Sequence, residues 1–300
     1  MRIVTLLPSA TEIVCALGFE EQLVGISHSC NYPPAVLSRR VVTSTHVPYT
    51  ESSETIDSYV REHLTGHEAL YDLDIDALRE LAPDVIVSQA LCDVCAVATG
   101  DVTSALADLP SNPTLIDLTP NTLADVFDDI RRVGAALGAD RRADDLVRSL
   151  QARCERIGAV EVAERPRVAF LEWLIPPFNG GHWNPELVRL AGGVELLGAH
   201  GLASTTLTWQ HVIDADPDIL FIACCGFRVE RALEDVALLL DKPEWKSLRA
   251  VQEGRVYVTD GNAFFSSPGP RLVDGLEIMA HALHPELHER PADTPLVQVT

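Results

Sequence analysis

The chain has 300 residues, 47% of them hydrophobic and 22% charged, which is the balance of a globular protein with room for two domains rather than of a disordered chain. Its formal charge of −21, with 21 Arg against two Lys (Lys242 and Lys246), argues against nucleic acid and anionic membrane surfaces as partners and fits a protein kept soluble at high salt. No apolar run reaches the roughly 18 residues that a membrane helix needs, and seven cysteines is an odd count that a complete disulfide framework would not use.

The first residues, "MRIVTLLPSATEIV", open like a leader, but Pro8, Ser9, Thr11 and Glu12 interrupt the apolar run, so "RIVTLL" (2–7) reads as a first strand. As written, the chain is expected in the cytoplasm; a start further upstream would make it an exported protein. "SATEIVCALGF" (9–19) reads as a helix that opens on a Ser9–Glu12 capping box and stops at Gly18. "LVGIS" (23–27) is the second strand, followed by the loop "HSCNYPP". Residues 43–70 are polar and irregular and read as an inserted loop or short helix. "DIDALRELAP" (74–83) is a helix ending at proline, "DVIVSQ" (84–89) a buried strand followed by the Cys-x-x-Cys pair Cys92 and Cys95, and "TLIDLT" (114–119) another strand.

From Thr122 to about Ile157 the pattern changes. Leu123, Val126, Phe127, Ile130, Val133, Leu137, Leu146 and Leu150 recur at helical spacing, with Gly134 and Gly138 as weak points. One helix over this span would be on the order of 50 Å long, enough to serve two domains. The alternation then restarts with "RVAFLEW" (167–173), the helix "NPELVRLAGG" (184–193), "DILFIAC" (218–224), the helix "VERALEDVALLL" (229–240), "RVYVTDG" (255–261) and the helix "PRLVDGLEIMAHAL" (270–283). The expected architecture is α/β: two Rossmann-like lobes with parallel sheets, 1–121 and 165–284, joined by one long backbone helix within 122–164, with 285–300 as a frayed tail.

In this order and spacing, "RIVTLLPSATEIVCALGFEEQLVGISHSCNYPP", "LRELAPDVIV", "IPPFNGGHWNPELVRLAGG", "WQHVIDADPDILFIA" and "GRVYVTDGNAFFSSPGPRLVDGLEIMAHAL" resemble the substrate-binding proteins of ABC importers for cobalamin and iron–siderophore chelates, the cobalamin type most closely. The likeness covers most of residues 2–283. It implies a small-molecule metal chelate as ligand, no required cofactor, a monomer, and docking on an ABC permease through one exposed acid per lobe. Here those docking positions fall on Asp76 and near Ser266, an altered pair. The family's cobalamin binders carry a Trp in the loop before the helix that ends in "LAPD"; here that region is the longer insert holding His46 and Tyr49.

Ligands of open parallel sheets bind beyond the carboxyl ends of the strands. Applied strand by strand, this places Ser9, His28 with Ser29 and Cys30, Cys92 with Cys95, Trp173 with Phe178, His182 and Trp183, Cys224 with Cys225, and Asn262 with Phe264 and Phe265 at one cleft; Cys15 and Cys154 fall on helices as packing residues. Ser9, His28, Tyr49, Cys92, Trp173, Phe178, His182, Trp183, Phe264 and Phe265 are therefore the candidate ligand contacts, and Cys92, Cys95 and His182 the candidate metal ligands. Each has a plainer reading. A lone Cys-x-x-Cys is a weak motif, vicinal cysteines chelate one ion poorly, and the aromatics could be lobe core. Yet "PPFNGGHW" and "NAFFSSPG" are too rich in Gly, Pro and Asn to be element interiors, and aromatics on such loops are more often contact surfaces. Two functions compete: binding of a flat metal chelate such as a corrinoid or iron chelate, and a cytosolic metal- or thiol-dependent enzyme on the same fold. The sequence favours binding, because Glu172 is the only carboxylate placed at a strand end to act as general acid or base.

Overall fold

The computed structural model describes residues 1–66, 69–89 and 109–299. The chain divides into two compact units: Met1–Pro120 with Ala124–Arg148, and Asn121–Leu123 with Ser149–Thr300.

The strands of the first unit are β1 (Ile3–Thr5), β2 (Leu23–Ile26), β3 (Arg40–Val41), β4 (Thr43–Thr45), β5 (Tyr71–Leu73), β6 (Val85–Gln89) and β7 (Thr114–Leu118). Five of them form a sheet in the order β3-β2-β1-β6-β7, and each neighbouring pair is parallel. All five residues of β6 are buried, as expected of a strand covered on both faces. The helices α1 (Pro8–Ala16), α2 (Ser53–Gly66) and α3 (Ile75–Leu81) follow from local chemistry. Proline at the first position starts α1, where its missing N–H is no loss. The Asp74 carboxylate caps α3 by accepting from the Ala77 N–H at 2.8 Å. The polar insert 43–70 is more ordered than its composition implies: β4 and β5 pair antiparallel and bracket α2.

The expected single helix over 122–157 is two helices, α4 (Leu123–Ala136) and α5 (Asp140–Gly158). The cause is the pair of glycines. Gly138 takes φ +67°, a left-handed turn that ends α4, and a Cβ at Gly134 would lie 2.4 Å from the Ala143 Cβ, so the start of α5 packs directly on α4 there. The division between the units falls within α5, at Arg148.

The second unit contains β8 (Arg167–Leu174), β9 (Pro177–Asn179), β10 (Val194–Glu195), β11 (Ile219–Ile222), β12 (Val256–Thr259) and β13 (Leu296–Val299). Its sheet runs β10-β8-β11-β12-β13, with β9 also on β8. The pairs among β10, β8, β11 and β12 are parallel, whereas β13 joins β12 antiparallel. The tail is thus a strand and not frayed. The Thr259 hydroxyl donates to the Pro295 carbonyl at 2.5 Å where β13 begins. Around the sheet lie α6 (Asn184–Leu190), α7 (Trp209–Ala215), α8 (Val229–Leu239), α9 (Pro243–Ser247), α10 (Arg249–Gln252), α11 (Gly261–Phe264) and α12 (Leu272–Leu283). Phe170, Leu220, Phe221, Leu276 and Met279 are fully buried at its centre.

Candidate functional site

In the first unit the strand-end rule leads to a connected array. β2 ends at Ile26 and delivers His28 half-buried in the following loop. The Thr43 hydroxyl donates to Ser27 Oγ at 3.2 Å and accepts from the His28 backbone N–H at 2.9 Å. Its oxygen also lies 2.7 Å from His28 Nδ1. With that hydroxyl proton given to Ser27, Nδ1–H is the donor in the last contact, which leaves the lone pair on Nε2. Burial pushes the imidazole below its ordinary range, so it is neutral at pH 7. The ring stacks on Tyr71, centroids 5.5 Å apart. Tyr71 is buried, and its hydroxyl lies 3.0 Å from that of Tyr49, which is 42% exposed. Tyr71 is thus a buried strut that orients two more accessible groups, one imidazole and one phenol.

Sequence reasoning reached His28 and Tyr49 but not Tyr71, which opens a three-residue strand just after the polar insert and carries no motif. Ser9 lies buried in the first turn of α1, its hydroxyl without a hydrogen-bond partner among the described residues. Cys92 and Cys95, the first-lobe part of the expected metal set, lie outside the described residues.

In the second unit the expected aromatics separate into two groups. Of the expected ligand contacts, Trp173, Trp183 and Phe265 pack in the core of this unit, 8%, 3% and 1% exposed. The Trp173 Nε1–H donates to the Ile175 carbonyl at 3.1 Å, and the ring packs on Phe227 with centroids 4.8 Å apart. The Trp183 Nε1–H donates to the Phe265 carbonyl at 2.9 Å. Phe265, at the end of α11, turns its ring onto Phe170 and Phe221, with centroids at 5.5 and 5.4 Å. Phe178 and Phe264 remain half-buried. The Arg271 guanidinium lies 5.6 Å from the centre of the Phe264 ring.

Burial raises the Asp260 carboxyl at the end of β12, while Arg228 and Arg271 pull it down, so two cations gather at these strand ends in a strongly acidic chain. The strand-end rule carried three residues past Cys225 would have found Arg228.

His182 sits in a left-handed turn at φ +53°, half-buried, with Nδ1 unpartnered among the described residues and the ring stacked on Trp183. Burial pushes its imidazole down. Among the described residues no group of three or more His, Cys, Asp or Glu is arranged to hold a metal ion. The five described cysteines are free thiols; Cys30, Cys154 and Cys224 are buried, and burial pushes Cys30 up to about 11 and Cys224 well above its usual range. Buried thiols of this kind serve packing. Glu172, the one candidate acid or base, accepts from the Gly181 N–H at 3.1 Å and from the Asn184 amide at 3.5 Å, so its carboxylate is committed to holding a loop.

The family model described as periplasmic binding protein matches residues 3–263. An uncharacterised ABC transporter substrate-binding lipoprotein of Bacillus subtilis is 23% identical over 294 residues, covering 95% of this chain and 80% of its own. The vitamin B12-binding protein of Vibrio cholerae is 22% identical over 281 residues, covering 92% of this chain and 86% of its own. A crystal structure of a periplasmic heme-binding protein from Pseudomonas aeruginosa superposes with a TM-score of 0.73 at 20% identity, over 100% of this chain and 98% of that one, a likeness of fold.

Proposed function

The chain belongs to the periplasmic binding protein family, and from that premise we propose that it binds a large, flat metal chelate, a corrinoid first, and hands it to an ABC permease. The observation that carries this reading is the His28–Tyr71–Tyr49 array. It presents an imidazole and a phenol at the carboxyl end of a parallel strand, where open α/β sheets bind ligands. A corrin ring needs apolar faces to lie against and hydrogen-bonding groups for its rim, and a large aromatic ring supplies both, burying on the order of 150–250 Å². The neutral His28 Nε2 adds a soft nitrogen donor suited to cobalt or iron. The name of the Vibrio cholerae relative supports a corrinoid.

A second reading, haem, is favoured by a separate observation. Arg228 and Arg271 act on Asp260 beside the half-buried Phe264, and a ring carrying carboxylates would meet both its charge and its face there. The name of the Pseudomonas aeruginosa structure supports it as well. The enzyme alternative has no support: the one candidate acid is engaged in loop hydrogen bonds. Absorption titrations of the purified protein with cyanocobalamin and with haemin decide between the two chelates. Saturable binding of either one supports the proposal, and binding of neither counts against it.

A further inference from the structure

His28 is gripped by the ribbon of β4 and β5. The register of β3 on β2 pairs Gly25 with Arg40 and Ile26 with Val41, and the Val42 N–H donates to the Ile26 carbonyl at 2.9 Å. Carried on, that register sets Thr43, the first residue of β4, beside the loop that opens at Ser27. On the ribbon itself Thr45 lies opposite Tyr71. Alternation along β4 puts Thr43 and Thr45 on one face, and a cross-strand pair shares a face, so Thr43 and Tyr71 belong to the same side of the ribbon. Tyr71 meets the flat of the imidazole, and Thr43 meets its Nδ1 edge.

The hydrogen bonds around Thr43 can be counted atom by atom. A Thr hydroxyl has one proton and two lone pairs. The Thr43 oxygen accepts from the His28 N–H at 2.9 Å and donates to Ser27 Oγ at 3.2 Å. Its second lone pair is left for the imidazole, 2.7 Å away, so the ring proton sits on Nδ1. Ser27 Oγ takes the Thr43 proton and also accepts from the Ser29 N–H at 3.3 Å, so its own proton goes to Ser29 Oγ at 2.9 Å. Thr43 and Ser27 are buried, where such bonds are strong and an unmade one is costly. The hydroxyl chain therefore has one direction, away from His28, and reversing it requires each proton along it to turn.

We infer that Thr43 is a positioning residue: it fixes His28 as the Nδ1–H tautomer, so that Nε2 meets the ligand as a lone pair and selects an electron-pair acceptor, either a metal ion with an exchangeable axial position or an N–H on the ring's rim, over a carboxylate. This rests on the reading of His28 as part of a chelate-binding site. A carboxylate could take a hydrogen bond from Nε2 in only two ways. Protonation of the ring would supply the donor, but burial opposes that charge. Exchange of the tautomer would supply it as well, but the Thr43 hydroxyl would then have to leave Ser27 for Nδ1 and the whole chain would reverse. A corrinoid or a haem thus meets His28 through its metal or an amide and turns any acid on its rim elsewhere.

The ligand-free chain tests the positioning. With the histidines labelled in nitrogen-15, two-bond nitrogen–proton NMR correlations at a pH of about 7.5 show which ring nitrogen of a neutral imidazole holds the proton; the His28→Gln spectrum identifies the signal. The expected result is a proton on Nδ1 of His28 in the parent, a shift toward Nε2–H in Thr43→Val, and return of the parental pattern in Thr43→Ser, which keeps the hydroxyl. A parent with the proton on Nε2 overturns the proposal, as does a Thr43→Val protein with the parental pattern. The parent spectrum decides alone if Thr43→Val does not fold.

Absorption titrations with aquocobinamide, with dicyanocobinamide in excess cyanide and with haemin carry the test to the ligand. Binding of aquocobinamide or haemin is expected to be about tenfold weaker in Thr43→Val than in the parent, the loss typical of a residue that orients a metal ligand, and to recover in Thr43→Ser. If His28 meets the metal, dicyanocobinamide, whose axial positions are filled, shows no such loss; if it meets a rim N–H, both corrinoids lose alike. Equal binding of every chelate by Thr43→Val and the parent overturns the proposal. Binding of none by the parent, with the Nδ1–H tautomer in place, counts against the chelate and leaves the positioning supported.

Discussion

His28 and Trp183 were both reached by the same strand-end argument, and they behave differently. His28 has its Nδ1 satisfied by Thr43 and its ring half-buried on Tyr71. Trp183 is 3% exposed, with its one donor spent on the Phe265 carbonyl. His28→Ala is therefore expected to weaken chelate binding by about tenfold or more, roughly 1.4 kcal/mol, with little change in melting temperature. Trp183→Ala is expected to cost about 3–5 kcal/mol of stability through the cavity it leaves. Urea unfolding and ligand titration of both variants check this: a Trp183→Ala protein of parental stability with selectively lost binding would reverse the assignment. The strand ends were legible in the sequence because they follow from alternating buried strands and helices. Which aromatic turns inward was not, because that depends on how α11 ends and on a hydrogen bond across 82 residues.

At the scale of the element, the sequence pattern located β1, β2, β6, β7, β8, β11 and β12 but not the short strands β3, β9 and β10 or the tail strand β13; the fully buried runs "VIVSQ" and "ILFI" read as central parallel strands. The helical period over 122–157 was also visible, with Gly134 and Gly138 as weak points where it could bend, but a full break into two helices was not, because hydrophobic spacing continues across Gly138 as though the helix did. The two glycines there do different work. Gly138 needs only its left-handed φ, with open space around its Cα, so Gly138→Ala is expected to cost about 1 kcal/mol. Gly134 is a contact: Gly134→Ala places a methyl against the Ala143 methyl and is expected to cost more, about 1–3 kcal/mol, as overpacking does. Equal losses in thermal or urea unfolding would show that α4 and α5 are not packed through this point. The strand in the tail is hidden in the sequence for a related reason. "LVQV" is too short a strand signal to stand against the prolines around it, and only the open edge of β12 gives it a partner.

At the scale of the whole molecule, 44 acidic against 23 basic residues repel one another at neutral pH. Among the described residues the ion pairs that offset this include exposed Arg–carboxylate pairs at helical spacing, such as Arg148–Asp145 and Arg79–Asp76, each contributing about 0–1 kcal/mol. We propose that salt therefore stabilises the fold, with a melting temperature that rises on going from low to molar NaCl as the repulsion is screened. A melting temperature that falls with NaCl would remove this reading.

The pH dependence has a definite sign. Burial pushes the Asp129 carboxyl up to about 6 and that of Glu195 up to about 7. A carboxyl whose folded pKa is raised binds its proton more tightly in the fold than in the unfolded chain, so its contribution to stability is full below about 4 and is lost as pH rises through the folded value. Between about pH 4 and 6 the fold should lose up to about 3 kcal/mol through Asp129, and Asp129→Asn, which keeps the oxygen that accepts from Arg132 at 2.7 Å, should flatten that slope. An unchanged slope in urea unfolding across this range would show that Asp129 ionises as freely as an exposed carboxylate.

The central claim is that this member of the periplasmic binding protein family binds a metal chelate through groups that include the His28–Tyr71–Tyr49 array. The most direct test is an absorption titration of the parent and of His28→Ala with cyanocobalamin, repeated with haemin, at neutral pH and high salt. The account predicts saturable one-to-one binding of one of the two chelates by the parent, with a Kd on the order of 1 μM or tighter, and at least about tenfold weaker binding by His28→Ala. A parent that binds neither chelate at about 100 μM, or a variant that binds as the parent does, would contradict it.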